Sequence, residues 1–302
     1  MKFDSRVPVF TDDPGWHGKR LQQAFAARGL EAVFISLKDC GFDFSHAHHP
    51  HRPGVTIPGF DSLPRGVFVR GVPGGTVQQV IARLDVLHAL SMSGVAVYND
   101  GRAIERTVDK AMTSFLLHRR GISTPATWVC ESRHMVEKIR MQQGPLVMKP
   151  LFGSQGMGIR RLEPDQALPV PLEQHVEGVY YLQQYINSGE GAWHDYRVFI
   201  IRGKAVAAMK RHGNGWVNNV ALGGRCEVYA VDSEIAALAV QAADAVDIDY
   251  CGVDVICDGH SEERGKMYVL EVNSIPAWKG LQSVVGYDIA QLLVDDFLAK
   301  TA

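Results

Sequence analysis

Three oxygen-bearing side chains near the C-terminal end of the sequence could together bind a metal ion. Asp254 lies in the apolar run 251–255, and Glu271 and Asn273 lie two positions apart in a later apolar run. On a β-strand, Glu271 and Asn273 face the same side, and Asp254 on the preceding strand of a hairpin would face them. Two carboxylates and an amide oxygen suit Mg²⁺, which completes its octahedron with water and phosphate. Polar strand ends are the alternative, which is weaker because buried acids without a partner are costly.

A glycine-rich segment in the middle of the chain could bind phosphate. Residues 149–159 read KPLFGSQGMGI. Glycine lets backbone N–H groups approach phosphate oxygens, and Lys149 adds a positive charge at the start of the segment. The segment is not a Walker A motif, and it is a poor dinucleotide fingerprint because no clear helix follows it. A glycine-rich hairpin turn explains this segment alone equally well.

Two arginines on neighbouring predicted strands could bind anionic oxygen atoms. Arg197 lies two residues after Asp195, and Arg211 follows the next apolar run. Guanidinium groups bind phosphoryl oxygens through paired N–H donors and would stabilise charge that develops there. On spacing alone, a solvated strand face is the better explanation of these arginines.

The elements that must position these side chains form two series. Strands at 7–10, 32–37, 67–69 and 95–98 alternate with helices that begin near Lys19 and after Gly75. Such alternation predicts an α/β fold with a parallel sheet. The second series comprises a helix at 108–120, strands at 127–129, 145–150, 178–184, 196–201 and 205–210, a helix at 233–245, and strands at 252–257 and 266–272. The last two strands are separated by a polar turn, so we expect an antiparallel hairpin.

Composition limits the classes of function that the chain could serve. A net charge of −2, without a basic run, gives no reason to expect nucleic acid or an anionic membrane as partner. The N-terminus lacks the apolar region of a signal peptide, and no run of 18 apolar residues predicts a membrane span. The five cysteines are scattered without a C-x-x-C pair, which is typical of reduced thiols in a cytoplasmic protein. The 302 residues predict about two domains as a starting estimate.

Taken in order, these motifs resemble the ATP-grasp superfamily, and within it the RimK-like ligases that add amino acids such as glutamate. The resemblance covers roughly residues 99–297. It rests on the segments 99–101, 109–110, 147–150, 153–158, 182–186, 195–197, 218–219, 223–224, 252–254 and 271–273. It implies an N-terminal parallel-sheet domain at 1–98, an ATP-clamping lid subdomain at 99–186 and a metal-binding catalytic subdomain at 187–302.

The resemblance also implies which residues bind ATP. Asp195 would lie near the ribose, and Gln184 stands where members of the family usually carry Glu. The other implied contacts are Lys110 and Lys149 at the phosphates, Gly153, Ser154, Gln155, Gly156 and Gly158 in a mobile lid, and Gln184, Tyr185 and Ile186 in a hinge whose backbone reads adenine.

The implied reaction is an ATP-dependent ligation of a carboxylate to an amine through an acyl-phosphate, without a nucleophile from the enzyme. Arg197 and Arg211 would stabilise the acyl-phosphate, and Asn219 would help to hold phosphate. Asp254, Glu271 and Asn273 would bind Mg²⁺ or Mn²⁺, two ions in all. The partners would be a small-molecule acid and an amino acid, and members of the superfamily are often homo-oligomers.

Three further residues are candidates for substrate binding. Arg70 ends an apolar strand. The resemblance implies that this region faces the substrate, so that Arg70 could hold a carboxylate; a surface arginine with its head in water is an equal alternative. Trp16 follows the first strand at its carboxyl end, where ligands bind in open α/β sheets; a tryptophan packed in the core is the simpler explanation. Trp278 lies in the run 274–281, which resembles the same region of ligases that extend pterin- or furan-type one-carbon cofactors with glutamate.

Other interpretations remain open at this point. The chain could be a ligase for another amino acid or for a peptide or protein tail, or an ATP-binding protein without turnover. A nicotinamide oxidoreductase is the weakest alternative, because the first turn lacks Gly-x-Gly-x-x-Gly. The four histidines between His46 and His51 could bind a metal, but a solvated loop is the better interpretation.

Overall fold

The computed structural model describes residues 5–45, 54–153, 156–166, 168, 176–189, 193–213, 215–216, 224–259 and 265–302. These residues form two compact units. The first is drawn from 1–104, 248–250 and 274–302, and the second from 105–247 and 251–273. None of the helices described is long and apolar enough to cross a membrane.

The secondary structure alternates in the first unit and is richer in strands in the second. In chain order the helices described are α1 (Gly15–Ala26), α2 (Val77–Met92), α3 (Gly101–Val108), α4 (Lys110–Arg119), α5 (Arg133–Gln143), α6 (Ser233–Val246), α7 (Lys279–Gln282) and α8 (Ile289–Thr301). The strands described are β1 (Arg6–Phe10), β2 (Glu31–Ile35), β3 (Gly41–Phe42), β4 (Val55–Thr56), β5 (Gly66–Val69), β6 (Ala96–Tyr98), β7 (Thr127–Cys130), β8 (Leu146–Lys149), β9 (Arg160–Leu162), β10 (Tyr180–Gln184), β11 (His194–Ile201), β12 (Lys204–His212), β13 (Arg225–Val228), β14 (Tyr250–Cys257) and β15 (Met267–Asn273).

The first unit contains the predicted parallel sheet. Its order is β2-β1-β5-β6, and every pairing in it is parallel. The strands are short apolar runs whose side chains join those of α2 in one core, which includes Phe10, Val67, Val69, Leu87 and Leu90. The prediction of a parallel sheet with helices packed on it is confirmed.

Local signals explain where α2 begins and ends. Thr76 Oγ1 accepts a hydrogen bond from the Gln79 backbone N–H, and Gln79 Oε1 accepts one from the Thr76 backbone N–H, which together form a capping box. After Ser93 the chain turns at Gly94, whose φ of 83° suits glycine at the end of a helix. The predicted start of α1 near Lys19 is wrong by about one turn. The helix begins at Gly15, because Pro14 has a φ of −59° that already fits a helical start.

The second unit contains two antiparallel sheets. One has the order β7-β10-β8-β9 and the other has the order β13-β12-β11-β14-β15. The hairpin of β14 and β15 is confirmed as antiparallel, with Asp254 opposite Glu271 and Gly252 opposite Asn273. The predicted helix at 108–120 is wrong at its start, because Asp109 accepts hydrogen bonds from the next turn and caps α4, while α3 precedes it as a separate helix.

Candidate active site

The hairpin of β14 and β15 brings the three predicted metal-binding residues together. Asp254 lies directly opposite Glu271, and Asn273 Nδ2 donates a hydrogen bond to Glu271 Oε1 at 3.1 Å. Asp254 is 4% exposed, whereas Glu271 and Asn273 are half-buried. In the part of the chain that the structure describes, no cluster of three or more His, Cys, Asp or Glu residues could hold a metal. Asp254, Glu271 and Asn273 instead offer two carboxylates and one amide oxygen, a smaller set of hard ligands that fits Mg²⁺ if water and phosphate complete its coordination.

Two arginines reach the same aspartate. Arg197 on β11 donates from Nε and Nη2 to the two carboxylate oxygens of Asp254, each at 2.7 Å. Arg211 on β12 lies opposite Asp195 and donates to both of its oxygens at 2.6 and 2.7 Å, while its Nη2 is 3.1 Å from Asp254 Oδ2. The structure thus joins four predicted site residues, Asp195, Arg197, Arg211 and Asp254, in one network of ion pairs (the Asp–Arg network).

Charge in the Asp–Arg network is balanced within a buried environment. Burial alone would raise the pKa of Asp254, but the charges of Arg197 and Arg211 hold it well below its ordinary value. Burial raises the pKa of Asp195 to about 6, against the opposing effect of Arg211. Asp254, which contacts both guanidinium groups, is therefore the carboxylate that stays ionised most firmly.

Two lysines lie near this network, and neither has a carboxylate partner among the residues that the structure describes. Lys149, at the end of β8, is 8% exposed, and its Nζ donates to Gln183 Oε1 at 2.7 Å. Lys110, at the start of α4, donates from Nζ to the carbonyl oxygens of Leu151 and Gly153 at 3.2 and 3.1 Å. Burial lowers the pKa of both lysines, and the charge of Glu271 opposes this effect in both. Two ammonium groups so placed, with only neutral acceptors among the described residues, would be stabilised by a bound anion.

Part of the predicted nucleotide site can be compared with the structure. Gly156 and Gly158 have φ values of 73° and 74°, which favour glycine. Gly153 accepts the hydrogen bond from Lys110. Ser154, Gln155 and Asn219 lie outside the described residues, as does the histidine run 46–51.

The predicted adenine hinge is already engaged in backbone hydrogen bonds. The N–H of Gln184 donates to Ala126 O at 2.8 Å, and that of Tyr185 donates to Pro145 O at 3.0 Å. These two N–H groups therefore already have acceptors within the protein, and the role of residues 184–186 in binding adenine stays a prediction. The guanidinium carbon of Arg161 lies 4.0 Å from the centre of the Tyr185 ring, which fixes that side chain.

Sequence reasoning missed Gln183, which is the partner of Lys149. Its Nε2 donates to Tyr181 OH at 3.3 Å and to Thr127 Oγ1 at 3.4 Å. The signal was present in the strand pairing, because Tyr181 lies opposite Lys149 and Gln183 shares the face of Tyr181. The contact between Gln183 and Lys149 could be predicted only from the pairing of β8 with β10, and the sequence alone does not show which strands pair.

The three predicted substrate residues come together within the first unit. Trp278 is fully buried, and the Arg70 guanidinium carbon lies 5.1 Å from the centre of its ring. Trp16 is half-buried rather than packed in the core, with its ring 6.4 Å from that of Trp278. Arg70 is half-buried, with its Nε buried and without a hydrogen-bond partner, and its role in binding a carboxylate stays a prediction.

His17 packs against both tryptophans of this cluster, and its pKa is lowered. Its Nε2 accepts a hydrogen bond from the Trp278 backbone N–H at 3.1 Å. Burial, with smaller effects of Arg70 and Lys279, lowers the pKa of His17 to about 4 from its ordinary value of 6.5. The folded protein therefore keeps His17 neutral in a range of pH where the unfolded chain takes up a proton.

We expect this difference to lower the free energy of unfolding as the pH falls. A depressed folded-state pKa gives stability that is present above about pH 6.5 and is lost as pH falls towards about 4. The full effect would be about 3 kcal/mol, which solvent screening of this half-exposed ring reduces to about 1 kcal/mol. The free energy of unfolding, measured by urea denaturation across this range of pH, should change less steeply with pH in His17→Gln than in wild type. His118→Gln, at an exposed position, should keep the wild-type slope; equal slopes in wild type and His17→Gln would contradict the expectation.

Comparison with solved structures identifies the fold. The fold resembles the ATP-grasp ligase PsnB complexed with minimal precursor, with a TM-score of 0.75 and 20% identity over 99% of both chains. It also resembles the RimK domain protein ATP-grasp from Sphaerobacter thermophilus, with a TM-score of 0.70 and 20% identity over 96% of this chain and 98% of that one. D-alanine–D-alanine ligase from Bacillus anthracis matches with a TM-score of 0.66 and 16% identity over 98% and 97% of the two chains. At these identities the likeness concerns the fold, which is the ATP-grasp fold as predicted.

Sequence comparison then gives the family. A family model of the RimK-like ATP-grasp domain matches residues 107–297. The tetrahydromethanopterin:alpha-L-glutamate ligase of Methanococcus maripaludis is 31% identical over 235 residues, which cover 76% of this chain and 78% of that protein. A probable alpha-L-glutamate ligase of Methanococcoides burtonii is 32% identical over 287 residues, 93% of this chain and 90% of that one. The chain belongs to the RimK-like ATP-grasp family, and the resemblance found in its motifs is confirmed.

Proposed function

We propose that this chain is an ATP- and Mg²⁺-dependent ligase that joins the amine of L-glutamate to the carboxylate of a small molecule. The observation that carries the proposal is the pair formed by the half-buried Lys110 and the buried Lys149, which lack a carboxylate partner in the described part of the chain and feel the charge of Glu271. Phosphate groups with their metal would satisfy both lysines. The relatives named as glutamate ligases support glutamate as the amine.

The residues of the hairpin would hold the metal. Asp254, Glu271 and Asn273 supply hard oxygen ligands, and we propose two Mg²⁺ ions there, with Mn²⁺ as a substitute. The structure of PsnB with Mg and ADP supports this use of metal and nucleotide in the fold. When bound, the metal neutralises charge on phosphate oxygens and so lowers the barrier to phosphoryl transfer.

The remaining site residues would bind and orient ATP. Lys110 and Lys149 bind phosphate groups, and the glycine segment, with Gly153, Ser154, Gln155, Gly156 and Gly158, closes over them. The hinge 184–186 binds adenine. Whether Asp195 lies near the ribose stays a prediction; its bidentate contact with Arg211 supports a role in positioning that arginine.

In this reaction the protein supplies no nucleophile, and its part is to orient the substrates and stabilise negative charge. The substrate carboxylate attacks the γ-phosphorus of ATP, and ADP leaves as the acyl-phosphate forms. The amine attacks the acyl carbon and loses a proton, and inorganic phosphate departs. Arg197, Arg211 and Asn219 would stabilise the negative charge on the acyl-phosphate and on the departing phosphate.

The acid that accepts glutamate is proposed to be a pterin- or furan-type one-carbon cofactor. The run 274–281 and the tetrahydromethanopterin ligase among the relatives support this choice. Another amino acid or a peptide is the alternative within the fold, and the complex of PsnB with a precursor peptide supports a peptide substrate for that protein. Location in the cytoplasm, assembly as a homo-oligomer and the three-part domain division stay predictions.

Product analysis tests the proposal. Purified protein with Mg²⁺ and ATP would be given L-glutamate, other amino acids and a panel of cofactor acids and peptides, and ADP release and product mass would be measured. ADP release that needs both an acid and L-glutamate, with a product heavier by glutamyl residues, is the expected result. ATP that binds but is never consumed with any pair would instead favour an ATP-binding protein without turnover.

Gln183→Leu should weaken ATP binding with little change in turnover at saturation. The substitution removes the acceptor of the Lys149 ammonium, a hydrogen bond to a charged group that contributes about 1.5–3 kcal/mol. We therefore expect the KM for ATP to rise by about tenfold or more. The exposed Gln142→Leu on α5 is the matched control and should keep the wild-type KM. An unchanged KM in Gln183→Leu would show that Lys149 does not depend on this partner.

A further inference from the structure

A series of hydrogen bonds leads away from Lys149 within the second unit. Lys149 Nζ donates to Gln183 Oε1 at 2.7 Å, and Gln183 Nε2 donates to Tyr181 OH at 3.3 Å and to Thr127 Oγ1 at 3.4 Å. Tyr181 OH is in turn 2.8 Å from Ser114 Oγ on α4. Lys149, Tyr181 and Gln183 are buried, and Ser114 and Thr127 are half-buried. These five side chains (the Lys149 network) therefore connect α4, β7, β8 and β10 through polar contacts.

The donors and acceptors around Gln183 allow only one orientation of its side-chain amide. An ammonium group can only donate, so the amide oxygen must face Lys149 and the amide N–H groups must face away. Thr127 Oγ1 donates its only proton to Pro125 O at 2.8 Å, which leaves it as an acceptor for Gln183. A flipped amide would place its N–H groups against the ammonium and its oxygen against a hydroxyl whose proton is already used. The buried amide would then lose its partners, which is costly.

Tyr181 is the second acceptor for the Gln183 amide and connects it to α4. Burial raises the pKa of Tyr181, so the hydroxyl keeps its proton. Its oxygen accepts from Gln183, which leaves the proton for Ser114 Oγ. Each hydrogen bond of this series then runs away from Lys149, and bonds aligned in this way polarise one another. The amide oxygen is therefore a better acceptor for the ammonium than that of an isolated amide.

We propose that Tyr181 and Ser114 are positioning residues that orient the amide of Gln183. The oriented amide in turn holds the Lys149 ammonium in place for the phosphate groups of a nucleotide, and for that role of Lys149 the inference rests on the proposed function. A long lysine side chain that is ordered before the ligand arrives loses less conformational entropy on binding. The same order is present with the substrate and with the transition state, so the network should act on KM for ATP rather than on kcat.

Nucleotide binding measures this effect without any turnover. The probe is a non-hydrolysable ATP analogue with Mg²⁺, titrated calorimetrically into the full chain. Tyr181→Phe keeps the ring and removes only the hydroxyl, so we expect the Kd to rise by about three- to tenfold, as for the loss of one hydrogen bond. In turnover, KM for ATP should rise with it while kcat stays within about twofold of wild type. Tyr180→Phe is the matched control, because Tyr180 is buried on the same strand and faces the other side of the sheet; it should bind as wild type does.

Combined variants test whether Tyr181 acts through Gln183. Gln183→Leu removes the amide that Tyr181 orients, so adding Tyr181→Phe to it should raise the Kd no further. Ser114→Ala should raise the Kd by a smaller factor than Tyr181→Phe and should add nothing to it. This second pair keeps the test available if Gln183→Leu does not fold, and urea unfolding curves show which variants are folded. Effects that multiply in the double variants would overturn the inference.

The remaining outcomes separate the inference from the proposed function. A wild-type Kd in Tyr181→Phe would overturn the inference and leave the ligase proposal standing. An equal loss of affinity in Tyr180→Phe would also overturn it, because the effect would then come from packing. Binding that depends on the Lys149 network in a protein that never forms a product would support the inference and remove the proposed function. Wild-type protein that binds no nucleotide would overturn both.

Discussion

Glu271→Gln should lower the rate of glutamate-dependent ADP release by about 10²–10³-fold, the range expected when a group that acts on transition-state charge is removed. The substitution keeps the size of the side chain and an oxygen that can accept the hydrogen bond from Asn273. It removes a proposed metal ligand and the negative charge that Lys110 and Lys149 both feel. Loss of turnover would therefore reflect charge at the site rather than a change in packing.

Metal dependence makes this test specific. Turnover of Glu271→Gln should need a higher Mg²⁺ concentration than wild type, because one carboxylate of the hard-oxygen set is gone. Glu31→Gln, an exposed residue at the start of β2, is the matched control and should keep wild-type turnover and metal dependence. Turnover of Glu271→Gln within about threefold of wild type at every Mg²⁺ concentration would be too small an effect for a metal ligand and would refute that assignment.

The sequence was sufficient to predict the hairpin that carries the proposed metal ligands. Both strands are apolar runs of strand length, and the period of two places Glu271 and Asn273 on one face. The parallel sheet was likewise predictable, because its strands alternate with helices along the chain. In these cases the information is local, and each element shows its own periodicity.

The partners of the charged residues were not predictable in this way. Strand β14 lies beside β11 in the sheet, although some fifty residues separate them, and this neighbour relation brings Arg197 onto Asp254. On spacing alone, Arg197 and Arg211 were better explained as residues of a solvated face. In the structure both belong to the Asp–Arg network, and Arg211 is 5% exposed. Strand order is a property of tertiary packing, so single-strand patterns do not contain it.

Arg211→Met should destabilise the protein by about 3–5 kcal/mol, since removing one partner of a buried ion pair leaves an uncompensated charge. Asp195 would lose both of its guanidinium contacts, and Asp254 would keep only those from Arg197. The free energy of unfolding from urea denaturation at neutral pH measures the effect. Arg120→Met, which breaks an exposed pair with Asp244 in the same unit, should cost no more than about 1 kcal/mol.

A double variant separates the structural role of Arg211 from its proposed role in catalysis. Asp195→Leu combined with Arg211→Met replaces the ion pair by apolar side chains, so it should recover much of the stability that the single substitution loses. Turnover should not recover with it, because the charge proposed to stabilise the acyl-phosphate stays absent. If activity returned with stability, Arg211 would serve the fold alone. A single Arg211→Met variant as stable as wild type would instead show that the network contributes little to folding, and the activity of that variant would then report the catalytic role directly.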